Sequence, residues 1–221
     1  MGTVRKHLLC LCACVTLLAP PLAAQTVELS TRTFWIGERP DTLESQRPFI
    51  TLRRIAWIEA ILGTDPVLRD AMVQIEETGM SAAAIVARAP STRDIRLGPD
   101  RLPPQFDLPG YRIYGLPVTI PRGLTYVPTD PGAGFHVRCG RQRDVERILV
   151  CTIFARYAPD DRISLIARLY FPPDPADRPT YFRDVVERMR EVAHCLDVTD
   201  ELVEVPAIRP ELKGCRLEPI S

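Results

Sequence analysis

Alternation of apolar and polar positions is clearest between Phe135 and Phe171, where three runs of period two follow one another (FHVRCG, ILVCTIFARY and ISLIARLYF). Alternate residues of a strand share a face, so this pattern predicts three antiparallel strands. Placing Cys139 opposite Cys151 makes partner numbers in the first hairpin sum to 290 and sets Phe135 against Ala155. Placing Tyr157 opposite Ile163 across Pro159-Asp160-Asp161 sets Cys151 against Leu169. One face then holds Phe135, Val137, Cys139, Leu149, Cys151, Ile153, Ala155, Ile163, Leu165, Ala167, Leu169 and Phe171, all apolar or cysteine. A slip of one residue in either hairpin would break that set, so the pattern specifies its own register.

The period changes after Pro179. Phe182, Val185, Val186, Met189, Val192, Ala193 and Leu196 form one stripe at helical spacing, and this predicts a helix over 179–196 whose apolar side covers the sheet. Upstream, Thr26–Ile36 reads as a strand. Ile50–Leu62 reads as a helix ended by Gly63, and 65–79 as a second helix with Asp65 as cap and Pro66 at its first position. Ser81–Ala89 fits either state. Pro90–Gly110, with five prolines and no period, reads as an extended connection. Tyr111–Val127 returns to β character, with a kink at Gly115 and a turn at Pro121–Gly123. The fold class expected is α+β. A C-terminal antiparallel sheet (111–221) under one long helix follows a smaller mixed part (25–90) and the Pro-rich connection (91–110).

The N-terminus changes the picture of where the chain works. Arg5 and Lys6 precede the apolar run Leu8–Leu18, and Leu22-Ala23-Ala24 closes it with small residues. This is the layout of a secretory signal peptide over 1–24, with cleavage expected after Ala24 and a periplasmic or secreted destination. The run is short for a bilayer span and contains Pro20 and Pro21, so no stable transmembrane anchor is expected. Cys14 in Leu-Cys-Ala-Cys loosely resembles a lipidation site, but the apolar stretch before it is very short. Of the seven cysteines, Cys139, Cys151, Cys195 and Cys215 remain after cleavage. In an exported chain they predict disulfides, Cys139 with Cys151 by register and Cys195 with Cys215 by elimination. Their spacing, with no paired knuckle, does not fit a zinc site.

Charge and chemistry exclude more than they identify. The 28 basic and 28 acidic residues cancel, which argues against a nucleic-acid binder. There is no Gly-x-Ser-x-Gly, no His-Glu-x-x-His, no phosphate loop and no dinucleotide fingerprint, and no cofactor is expected. The second face of the predicted sheet carries the remaining candidates: His136, Arg138, Arg156, Arg168 and Tyr170, with Arg138, Thr152 and Arg168 in one row. Arginine forks read carboxylates, so this face suits an acidic protein or an anionic envelope component. The same pattern also fits a face packed under other parts of the chain with arginines at its rim. The function expected is a non-enzymatic exported protein that binds another envelope or secreted component, inhibition being one form of that role. The alternative is a small hydrolase or transferase using carboxylates between the two parts.

Overall fold

The computed structural model describes residues 25–37, 49–98, 100–116, 123–141 and 147–201. Its frame is an eight-stranded antiparallel sheet. In chain order the strands are β3 (Phe49–Thr51), β4 (Ala71–Glu77), β5 (Ile95–Arg96), β6 (Tyr111–Gly115), β7 (Gly123–Pro128), β8 (Phe135–Arg141), β9 (Ile148–Arg156) and β10 (Ile163–Tyr170). Their spatial order is β3-β4-β10-β9-β8-β7-β6-β5. A separate hairpin, β1 (Gln25–Leu29) with β2 (Arg32–Gly37), turns through Ser30 at a left-handed φ of 55°. Among the described residues there are three α-helices: α1 (Ala56–Leu62), α2 (Ala82–Ala87) and α3 (Tyr181–Leu196).

The registers of β8, β9 and β10 are those the alternation dictates. Phe135 pairs with Ala155, Cys139 with Cys151, and Leu169 with Cys151. Cys139 and Cys151 are joined by a disulfide between directly opposed residues. Two members of the expected buried face depart from it. A bulge between Gly140 and Arg141 sets Ile148 opposite Arg141, so Ile148 is fully buried and Leu149 only half-buried. An extra residue on one strand reverses the alternation beyond it. Phe171 leaves β10 at φ 50° and is 62% exposed.

The larger correction lies upstream. Residues 65–79 do not form a helix. Asp65 does cap, accepting the Val67 and Leu68 amides through Oδ1, but it caps a turn. The chain then enters β4, where Ala71, Val73 and Ile75 are buried and Met72 is exposed. Ala71 and Ile75 satisfy both periods, and pairing with β10 along Ala71–Glu77 decides for strand. Residues 50–62 are likewise divided among β3, one 3-10 turn at Leu52–Arg54 and the shorter α1. The stretch Thr26–Ile36 is a hairpin and not one strand. β3 and β4, from the part expected to stand before the sheet, are strands of the same sheet.

α3 buries Phe182, Val185, Val186, Met189, Val192, Ala193 and Leu196 and packs on β9, β10 and β2. Seven such side chains contribute on the order of 10 kcal/mol before ordering entropy is subtracted. The core beneath them joins Phe34 and Ile36 of β2, Ile58 and Leu62 of α1, Phe106 and the apolar sheet face. At the end of α3 the Asp197 carboxylate accepts from Tyr157 Oη at 2.7 Å and from the Thr199 hydroxyl, and the Val198 amide donates to Thr33. Cys195 is disulfide-bonded. Cys215, its expected partner, lies outside the described residues, as do residues 1–24, where the signal peptide is expected, and the tail from 202.

Candidate binding face

With one face of the sheet committed to the core, the other is built by the strand registers alone. Pairing carries one row of side chains across seven strands: Arg96, Tyr114, Thr125, Arg138, Thr152, Arg168 and Met72. Directly paired residues of antiparallel strands point to the same side, about 4.8 Å apart per strand. Arg138 and Arg168 therefore flank Thr152 at about 10 Å from each other at the backbone. A neighbouring row runs Gly123, Gly140, Val150 and Tyr170.

Arg138 and Arg168 are both exposed, and neither makes a salt bridge among the described residues. Arg138 lies over the Phe154 ring, 5.8 Å from its centroid. Arg96, Arg112, Arg138, Arg156 and Arg168 share this face, while Glu76 is the one carboxylate at its strand positions. Tyr170 (46% exposed) and Met72 add apolar surface beside Arg168, and the exposed Phe171, next in the chain, has Arg147 over its ring. Arginine, aromatic residues and methionine are the types enriched where proteins meet, and lysine is depleted there.

Two of the expected residues lie on this face but away from its exposed arginine pair. Arg156 is held at the sheet end by Asp161, with Nε 2.9 Å from Oδ1. His136 is 1% exposed and stacks on Phe154 at 5.0 Å between ring centroids. Among the described residues neither His136 nitrogen has a hydrogen-bond partner, and burial, with the Arg138 charge second, pushes its pKa down to about 4. A neutral imidazole under the surface cannot serve as a cationic contact. α2 packs against β9, so part of this face is internal. The open area is the Arg138–Arg168–Tyr170 end. Met72 belongs to that area and was not expected there. The signal for Met72 was the alternation of Ala71, Val73 and Ile75, hidden by residues that also favour helix.

A cavity of about 370 Å³ lies at the β5–β6 edge, lined by Arg96, Leu97, Leu102, Pro104, Asp107 and Tyr111 among others. Among the described residues lining it, Asp107 is the one carboxylate, and two-carboxylate acid–base chemistry needs a second. Among the described residues, no group of three His, Cys, Asp or Glu side chains is placed to hold a metal ion. Among them, too, no helix is long and apolar enough to cross a membrane. No family model matches the chain, and no curated protein or solved structure does.

Proposed function

We propose that this protein is exported, with its signal segment cut after Ala24, and that it binds an acidic partner protein through the open end of its second sheet face. The observation that carries this reading is the pair Arg138 and Arg168. They are exposed, aligned across Thr152, without an ion pair among the described residues, and bordered by Tyr170 and Met72. Two guanidinium groups held on a rigid sheet can take carboxylates in forked geometry, and the adjoining apolar side chains supply area that excludes water. Export is supported by the basic, apolar and small-residue order of the first 24 positions and by the Cys139–Cys151 bridge, which suits an oxidising compartment.

The test is a pull-down from secreted and envelope fractions with wild-type chain and with Arg138→Glu/Arg168→Glu. The variant should keep its melting temperature within about 2 °C and lose the partner that wild type retains. Binding by the wild type should also weaken as salt rises. Equal retention by both proteins removes the assigned role from this face.

A further inference from the structure

The cavity at the β5–β6 edge has a divided lining. On one side it is apolar: Leu97, Leu102 and Ile113 are buried members of the core, and Tyr111 packs against that core. On the other side stand Arg96 and Asp107, both exposed. Neither makes an ion pair among the described residues, with each other or with a third group. Two opposite charges that line one cavity without closing on each other leave room between them for the polar groups of a ligand. The walls are held by bonds of the fold itself. The Leu97 amide donates to the Ile113 carbonyl at 2.8 Å, which fixes the strand side. On the loop side Tyr126 Oη donates to the Phe106 carbonyl at 3.2 Å, and the Ala176 amide to the Gln105 carbonyl at 3.2 Å. A pre-formed wall lowers the ordering cost of binding.

We infer that this cavity binds a zwitterionic small molecule, an α-amino acid with a large apolar side chain. Arg96 takes its carboxylate in forked geometry, Asp107 takes its ammonium, and Leu97, Leu102, Ile113 and the Tyr111 ring receive the side chain. Charge balance selects the zwitterion. The lining carries one cation and one carboxylate, so a ligand with a single charge would meet a like charge and leave its opposite unmatched. Size agrees. At roughly 30 Å³ for each heavy atom, the share of a water molecule in the liquid, a volume of about 370 Å³ admits about a dozen heavy atoms. The site does not depend on the partner-binding reading above, because Arg96 is three strands from Arg138, about 14 Å by strand spacing.

The experiment is calorimetric titration of the full chain with L-phenylalanine and three partial ligands. 3-Phenylpropionate lacks the ammonium, phenethylamine lacks the carboxylate, and glycine lacks the side chain. Phenylalanine is expected to bind at least about tenfold tighter than each of them. Asp107→Asn should remove the advantage over 3-phenylpropionate and keep the advantage over phenethylamine. Arg96→Gln should do the reverse. Both side chains are exposed and unpaired among the described residues, so each variant should melt within about 2 °C of wild type. The ligand series on wild type needs no variant. No binding of phenylalanine at millimolar concentration overturns the inference. So does equal affinity for phenylalanine and any one of the other three, or an advantage left unchanged by substitution of the residue assigned to it.

Discussion

Asp65, on the turn before β4, holds Arg188 of α3 across the fold, with Oδ2 2.7 Å from Nε. Asp65 is 1% exposed at its side chain, and its other oxygen takes the Val67 and Leu68 amides. Burial works to raise its pKa, but the Leu68 amide, the Arg188 guanidinium and the Val67 amide outweigh it and hold the carboxyl below its usual range. One carboxylate thus caps a turn and ties the helix layer to a strand near the sheet edge. Asp65→Ala should destabilise the protein by about 3–5 kcal/mol, because a nearly buried guanidinium loses a partner and two amides lose an acceptor. Urea denaturation measures this, and a loss below about 1 kcal/mol would show that the pair is not a tie.

The bridge between Cys139 and Cys151 joins residues already opposed in the sheet and buried in the core. Closing a short loop limits its entropic contribution to about 3 kcal/mol. The double variant Cys139→Ala/Cys151→Ala should therefore lose about 2–3 kcal/mol yet keep the register, which the apolar face specifies independently. Retained amide exchange protection in β8 and β9 would check the second part. Loss of that protection under native conditions would make the bridge, and not the pattern, the source of the register.

That distinction shows what the amino-acid pattern could and could not reveal. The β8–β9–β10 unit was legible because its pairings are local hairpins and one face is wholly apolar. β4 was not, because its partner, β10, lies far along the chain and nothing near Ala71 announces it. Helix-favouring residues and a true Asp65 cap pointed the other way, and tertiary pairing overrode them. At the candidate site, Arg138 and Arg168 follow from the register alone. The burial of His136 depends on what packs over the second face, and strand alternation carries no such information. Phe171 was set on the core face because the alternation runs on to it, but its own left-handed backbone takes it out of the strand.

His136 gives a pH dependence with a definite sign. Its folded pKa is about 4, below the ordinary 6.5, so the unfolded chain binds the proton more readily. The contribution of neutral His136 is therefore fully present above pH 6.5 and is lost as pH falls from 6.5 towards 4. The loss amounts to about 3 kcal/mol. Asp160 acts in a lower window. Burial opposes its ionisation, but bonds from Thr31 and the Arg162 amide bring its pKa to about 2, so its contribution is lost only as pH falls from 3.8 towards 2. His136→Phe keeps an aromatic stack on Phe154 and removes the titration. Its stability should be nearly flat between pH 6.5 and 4.5 where wild type declines. A parallel decline in both proteins would place the titrating group elsewhere.

Phe171 joins an exposed aromatic ring to a backbone conformation that L-residues avoid, with φ 50° and 62% exposure. For stability alone the position favours glycine, since a left-handed residue bearing a Cβ costs about 1 kcal/mol. The ring returns little of this, being largely in water with the Arg147 guanidinium over it. If the Arg168–Tyr170–Met72 area is the binding surface, the ring contributes when a partner covers it. Phe171→Gly should then move stability and binding in opposite directions. Thermal denaturation should show a gain of up to about 1 kcal/mol, while affinity for the partner retained in the pull-down falls about tenfold or more. A variant that is more stable and binds equally well would take Phe171 out of the interface. One that is less stable would show that the ring holds the end of β10 through contacts stronger than its exposure suggests.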